Sequence, residues 1–356
     1  MTSVAASRRG LSIGGVRLAV PVVQAALSGY SDRAMRVMAR RHGAAYSLGE
    51  VLLDRFVTEV GTNRRNLARL AVADEEHPVG GQLMGSNPDD FPPAARRLVA
   101  EGYDVIDINF GCPVKKVLGR CRGGYLLGVP ETALEIVSRV REAVPPHVPV
   151  TLKMRRGIDD SPASADRFWT IFDGAFARGV AAITVHGRTV QQKYVGPSSW
   201  EFLAAVKRHA GDRTVIGSGD LFSARACVAM LAETGVDGVS VARGAIGNPW
   251  IFGQTLALLA DGPLPPPPTI HEQRATLRDH WQLSEELHGE LLAGRLMRKF
   301  AIKYARVHPE YLAVRDAFIG VKVNADWQSV LDRFYAADGP GRDPAADVDE
   351  TADCSG

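Results

Sequence analysis

Two cysteines, Cys112 and Cys121, stand in the stretch "DINFGCPVKKVLGRCRGGYLL", with Lys115, Lys116, Arg120 and Arg122 between and beside them. Four chemistries suit such a cluster: a metal site, a disulfide, a reactive thiol or a glycine-rich phosphate loop. Zinc needs more ligands, and no His or Cys follows at ligand spacing, so no metal is expected. Four scattered cysteines in 356 residues make no disulfide framework. The opening "MTSVAASRRGLSIGG" lacks the apolar core of a secretory leader, so a reducing cytoplasm is the expected compartment. That leaves two thiols. Cys112 lies one glycine past a strand end and just before Pro113, a rigid turn from which a thiol can donate a proton or, as thiolate, form an adduct. Cys121 sits between Arg120 and Arg122, whose charge favours its thiolate. Residue types alone leave both open.

Other candidates recur at the ends of short apolar runs. Gln82, Asn109 with Cys112, Lys153 with Arg155, His186 with Arg188, Ser218 with Asp220, and Arg243 each close one run. One such residue alone is more often structural than catalytic; six in succession are hard to dismiss. The runs are "VRLAVPVVQA", "AAYSLGE", "PVGGQLMG", "DVIDINF", "VPVTLKMR", "AAITVHG", "RTVIGSGD" and "GVSVARG", read as strands. Helical patterns follow them. "SDRAMRVMARRHG" predicts a helix capped by Ser31 and ended by Gly43, and "DDFPPAARRLVAEG", "PETALEIVSRVREAV" and "SARACVAMLAETG" read the same way. Eight strand–helix units in about 255 residues suit an α/β (β/α)8 TIM barrel, whose chemistry lies at the C-terminal strand ends. A doubly wound sheet is the alternative.

The last two strands run into glycine turns, "IGSGDLFS" and "VARGAIGNP". Glycine lets backbone N–H groups approach a ligand, and helix starts favour anions, so Ser218, Gly219 and Asp220 with Ala242, Arg243 and Gly244 predict a phosphate site. A cofactor held there would extend across the mouth towards Lys153 and Gln82. Flavin mononucleotide (FMN) has the one phosphate, and a ring edge suited to a cation and an amide.

The organisation expected is an arm (1–16), a barrel (17–260), a proline linker (261–268), a helical bundle (269–336) and a disordered acidic tail (337–356) that holds Cys354. With 46% hydrophobic and 23% charged residues the chain has the makings of a real core. No apolar run reaches the roughly 20 residues of a membrane span. The net charge of +2 names no partner. Locally, however, "RLMRKFAIKYAR" spaces Arg295, Arg298, Lys299, Lys303 and Arg306 three or four apart, a cationic stripe suited to phosphates or else a solvated face. No obligate protein partner is evident, and a monomer is expected.

Taken together, "SGYSDRAMR", "DINFGCPVKKV", "LKMRRG", "ITVHGRTVQQKYVGPSSW", "VIGSGD", "VARGAIGNPWIF" and "LMRKFAIKYARV" resemble, in order, the motifs of the tRNA-dihydrouridine synthases. The likeness runs from about Val23 to about Tyr335. It implies a flavin-binding barrel, a helical RNA-binding domain, and reduction of the uridine C5–C6 double bond in tRNA, with NADPH reducing the flavin. It implies that Gln82 and Lys153 meet the flavin ring, that His186 also lines the flavin site, and that the turns at Ser218–Asp220 and Ala242–Gly244 hold its phosphate. It further implies that Asn109, Arg155 and Tyr194 hold the uracil and that Cys112 is the general acid. Lys115, Lys116, Arg295, Arg298, Lys299 and Lys303 would contact tRNA. The chain departs from the family at "AAL", where Ala-Pro-Met is usual, at "SLGEVLL", where Thr-Glu-Met is usual, at Ser218, where Asn is usual, and at "GRCRGGYLLG" after the cysteine. Two rivals are a flavin barrel acting on a free pyrimidine and an RNA-binding protein without catalysis.

Overall fold

A computed structural model describes residues 10–61 and 64–344, apart from the side chains of residues 64 and 65. Eight parallel strands close into a barrel: β3 Val22–Gln24, β4 Ser47–Leu53, β5 Val79–Met84, β6 Val105–Phe110, β7 Val150–Arg155, β8 Ala182–His186, β9 Thr214–Ser218 and β10 Gly238–Val241, with β10 pairing β3. These runs are buried on both faces, which is why they read as nearly continuous apolar stretches. Their outer faces pack on a ring of helices through one large core that includes Phe91, Phe110, Phe168, Phe172 and Phe252.

The first expected strand is two. Val16–Leu18 pairs antiparallel with Leu11–Ile13 as a hairpin (β2 and β1), and only Val22–Gln24 enters the barrel, after Pro21. The expectation of a loose arm is therefore corrected for residues 11–16; residues 1–9 lie outside the described residues. Leu11, Ile13 and Leu18 pack under the barrel against Val23, Leu48, Val105, Ala182 and Ile216, and Thr214 Oγ1 donates to Ser12 O. The apolar alternation of "LSI" and "VRL" explains the hairpin once a barrel end is there to receive it.

The first helix, Arg33–Arg41, is capped by Asp32 rather than Ser31: Asp32 Oδ1 accepts from Met35 N at 3.0 Å. The Ser31 hydroxyl closes the preceding turn instead, accepting from Leu27 N at 2.8 Å and donating to Leu27 O at 3.1 Å. That turn lies at the barrel mouth.

Beyond residues 261–268 come four helices, Ile270–His288, Glu290–Tyr304, Tyr311–Ile319 and Asn324–Phe334, around Trp281, Phe300, Phe318, Trp327 and Tyr335. The single long helical pattern breaks at Gly289 (φ +81°), and Tyr311–Ile319 was not anticipated. Residues 337–344 are not a free tail: Ile270 N donates to Gly339 O and Arg342 N to Val307 O, strapping this segment along the bundle. Residues 345–356, Cys354 among them, lie outside the described residues. The bundle docks on the barrel through a buried pair, His288 Nε2 and Asp32 Oδ2 at 2.9 Å, so Asp32 serves both a cap and the interface. No helix among the described residues is long and apolar enough to cross a membrane.

Candidate active site

A cavity of about 430 Å³ opens at the C-terminal end of the barrel. Its wall includes Gln82, Asn109, Cys112, Lys153, Arg155, His186, Tyr194, Ser218, Gly219, Asp220, Ala242, Arg243 and Gly244, brought together from six strands and the loops after them. Strand register does the gathering. Asn109 faces Lys153, and Arg155 faces His186, across neighbouring strands. A break in register between Leu48 and Val51 accompanies the appearance of Val51 in the wall.

Hydrogen bonds fix the thiol turn. Asn109 Oδ1 accepts from Gly111 N at 2.9 Å and Cys112 N at 3.1 Å, and Arg155 Nε donates to Gly111 O at 2.9 Å. The loop beyond then folds back on it: Gly124 N donates to Cys112 O at 3.0 Å. Gly123 takes φ +58°, and a Cβ on it would lie 2.8 Å from Cys112 Cβ, so a side chain there would strain the turn and collide with the cysteine. Lys115 and Lys116 are both exposed on the short Lys115–Leu118 helix, and of the two Lys116 lines the cavity.

The two thiols now separate. Cys112 lines the cavity. Cys121 is exposed on the basic loop, in left-handed backbone, and its bond to the Tyr125 hydroxyl holds that phenol above its ordinary pKa. Cys227 is buried in its helix, and burial pushes its thiol up to about 12.

The field in the cavity is positive. Burial lowers Lys153 to about 8, helped by the Arg155 charge and opposed by Asp107 and Cys112. Burial also lowers Arg155 to about 10, still cationic at neutral pH. Burial, then Arg155, Lys153, Arg188 and Arg243, hold His186 well below its ordinary value, so its imidazole is neutral. Arg155 Nη1 donates to Thr189 O and Lys193 O, pinning the loop that carries Tyr194. Two guanidinium groups lie over the Tyr194 ring, Arg155 at 5.4 Å and Arg243 at 4.6 Å from its centre.

The two glycine turns are back to back. A Cβ on Gly244 would lie 2.0 Å from Leu221 O, so only glycine allows this approach. Gly219 takes φ +121°, and a Cβ there would meet Ser198 Oγ at 2.2 Å. Asp220, in left-handed backbone at φ +60°, is tied down by Arg188 Nη2 at 2.9 Å and Ser198 N at 2.7 Å.

The cationic stripe is not one solvated face. Arg295 and Arg298 are exposed, but Lys303 is 9% exposed. Gly247 lets the barrel press on this helix, since a Cβ there would sit 2.4 Å from Tyr304 N and 2.7 Å from Lys303 Cβ. Lys299 Nζ lies 4.6 Å from the centre of the Tyr30 ring, and Tyr30 is a cavity residue. Lys303 and Arg306 flank Arg243 at a pocket of about 20 Å³ on the outer side of the Ala242–Gly244 turn. Helical spacing found the face but not the barrel packed against it.

Several residues of the site escaped the sequence reading. Asp107 is buried on β6, accepting from Gln82 Nε2 at 2.6 Å and Thr151 Oγ1 at 2.5 Å. It lies two residues before Asn109, on the same strand face, so period-two arithmetic would have found it. The Leu27–Tyr30 turn and Ser240 also line the cavity. Ser240 Oγ and His186 Nδ1 are buried there with no hydrogen-bond partner in the protein. In the wall of an open cavity such atoms are free to meet a ligand. Among the described residues no group of His, Cys, Asp and Glu could hold a metal ion.

Comparison with known proteins places this geometry. The model of the family described as dihydrouridine synthase matches residues 23–334. A tRNA-dihydrouridine synthase B from Xanthomonas axonopodis pv. citri is 36% identical over 327 residues, 91% of this chain and 95% of that one. A probable tRNA-dihydrouridine synthase from Mycobacterium tuberculosis is 36% identical over 333 residues, 91% and 84%. Solved structures of similar fold include histamine dehydrogenase from a Rhizobium species (TM-score 0.57, 15% identity, 79% of this chain and 51% of that one). Another is an old yellow enzyme homologue from Zymomonas mobilis (TM-score 0.52, 14% identity, 72% and 93%).

Proposed function

Since the chain belongs to the dihydrouridine synthase family, a family of oxidoreductases, we propose that it reduces the C5–C6 double bond of uridine in tRNA, in the cytoplasm, with FMN bound in the barrel mouth and NADPH as reductant. One observation carries the reading: a cavity that sets a thiol turn beside a cationic wall and a glycine cradle. The residues present fit a flavin nucleotide. The paired turns at Ser218–Asp220 and Ala242–Gly244 offer backbone N–H groups to a phosphate. Lys153 and Gln82 suit the polar ring edge, and the orphaned His186 Nδ1 and Ser240 Oγ await a partner. A cavity of this size is ordinary for a cofactor of that kind. When bound, the flavin supplies the hydride that uracil C6 receives.

The protein supplies the rest. Negative charge that builds on the uracil C4 carbonyl and C5 is met by the cationic Arg155 and by the Asn109 amide. Tyr194, with Arg155 and Arg243 over its ring, lines the cavity where the base would lie. Cys112 gives its proton to C5 from the fixed turn. A uridine in folded tRNA must leave its stack to reach this depth, so the enzyme needs a grip on the surrounding RNA. Exposed Arg295, Arg298, Lys115 and Lys116 are positioned for phosphates, while Lys299 and Lys303 hold the grip to the barrel.

The test compares unmodified tRNA with free uracil. Purified protein is expected to be yellow, and to form dihydrouridine in tRNA but not from uracil. Turnover of free uracil alone would transfer the activity to a free-pyrimidine reductase, and a colourless, inactive protein would leave an RNA-binding role. A further expected result concerns the cradle. Gly244→Ala drives a methyl group into Leu221 O, so flavin retained per chain, read from its absorbance, should fall by about tenfold or more while the helical circular dichroism is kept.

A further inference from the structure

The Asp107 carboxylate bonds Gln82 and Thr151 on neighbouring strands, yet through Gln82 it is linked to the thiol turn. In register, Gln82 (β5), Asp107 (β6) and Thr151 (β7) face one another across three strands. Asp107 Oδ2 accepts from Gln82 Nε2 at 2.6 Å, and Gln82 Oε1 accepts from Asn109 Nδ2 at 2.7 Å. Asn109 Oδ1 in turn accepts from Gly111 N and Cys112 N.

We infer that Asp107 is a positioning residue that sets the direction of this hydrogen-bond chain, and through it holds the Cys112 turn and decides which amide atoms face the ligands. The inference rests on the uridine-reduction reading for its kinetic consequence only. Its logic is donor and acceptor counting. An amide side chain can be turned over, exchanging its oxygen for its NH2. Asp107 Oδ2 can only accept, so Gln82 must present NH2 to it and oxygen to Asn109. Asn109 must then present NH2 to Gln82 and oxygen to the two backbone N–H groups. Protonation of Asp107 on its other oxygen would leave this polarity intact, because the Thr151 hydroxyl can accept as well as donate. Gln82 and Asn109 each keep one N–H, and those are what the cavity receives. Reversed, the chain would aim the Asn109 NH2 at Gly111 N–H and Cys112 N–H, donor against donor.

Asp107→Asn separates this role from packing. It is isosteric and leaves every bond possible, but an amide at position 107 can meet Gln82 with either its oxygen or its NH2, so only the two backbone N–H groups of the turn still hold the chain's direction. The expected result in ligand-free full-length protein is faster hydrogen exchange in the peptide carrying Gly111 and Cys112, by about fivefold for one weakened bond, with other barrel peptides unchanged. In the holoenzyme, kcat for dihydrouridine formation should fall about fivefold or more while KM for tRNA stays put. Asp107→Leu, which abolishes the anchor, should be worse in both. Wild-type exchange and turnover in Asp107→Asn would overturn the proposal. So would lost turnover that returns at lower pH with exchange still normal, since that would make Asp107 only a counter-charge for Lys153. If wild-type enzyme reduced no uridine, the reading of function would fail, and the exchange experiment would still decide this one.

Discussion

Cys112→Ala is expected to lower dihydrouridine formation in tRNA by about 10²- to 10⁴-fold, the usual worth of a positioned general acid. Flavin and tRNA should still bind. The geometry makes the variant clean. Gly123 packs against Cys112 Cβ, which alanine keeps, and Asn109 and Gly124 hold backbone atoms of the turn, which no side chain alters. Only the sulfur goes. Cys121→Ala should turn over like wild type, because Cys121 stands exposed on the loop and bonds Tyr125. Single-turnover assays that follow flavin reoxidation and dihydrouridine together would check both variants. A silent Cys112→Ala with a dead Cys121→Ala would reverse the assignment.

Lys153→Met should have two opposed effects. The partly buried ammonium is lowered from 10.5 to about 8, chiefly by desolvation and then by Arg155. A lysine with a depressed native pKa is protonated at pH 7 at the expense of the fold. That penalty is fully present below about pH 8 and is relieved as pH rises from there towards 10.5, because the native state gives up its proton first. On the scale of 1.36 kcal/mol per unit, the penalty is about 3 kcal/mol. Ligand-free Lys153→Met should therefore be more stable than wild type at pH 7, by up to this amount, and the gap should shrink at pH 9.5. Denaturant titrations at the two pH values measure it, and a less stable variant at pH 7 would refute the account. Turnover should fall by about 10²-fold through loss of the cation. In the wild type, activity should decline above about pH 8 as Lys153 discharges.

The barrel was legible because every strand after the first is a short β-rich run closed by a turn, and because buried parallel strands need no alternation. The hairpin was not, since three-residue strands leave too little pattern and Val16 to Ala25 reads as one apolar run across Pro21. Strand ends exposed the cavity wall from Gln82 to Arg243. Asp107 stayed hidden because it lies inside the strand, where a carboxylate in an apolar run reads as an exception. Ser31 and Asp32 are both good caps by type, and only the Leu27 turn decides between them. Lys303 shows the general limit. Periodicity places it on a face, but the residue whose missing side chain lets the barrel pack against it is Gly247, remote in sequence.

The helix Glu290–Tyr304 touches the barrel mouth at two places: Lys299 over Tyr30, and Lys303 beside Gly247. His288 and Asp32 pin the helix before it. Exposed Arg295 and Arg298 thus stand on a helix docked to the barrel mouth that holds Cys112. If RNA is gripped there, as proposed above, the helix is a ruler: the nucleotide that reaches the thiol would be the one whose span from the gripped phosphates matches that from the helix to Cys112. On that reading target choice would be a matter of measured length along a folded RNA, and shifting the helix by one turn would move the mark by about 5 Å.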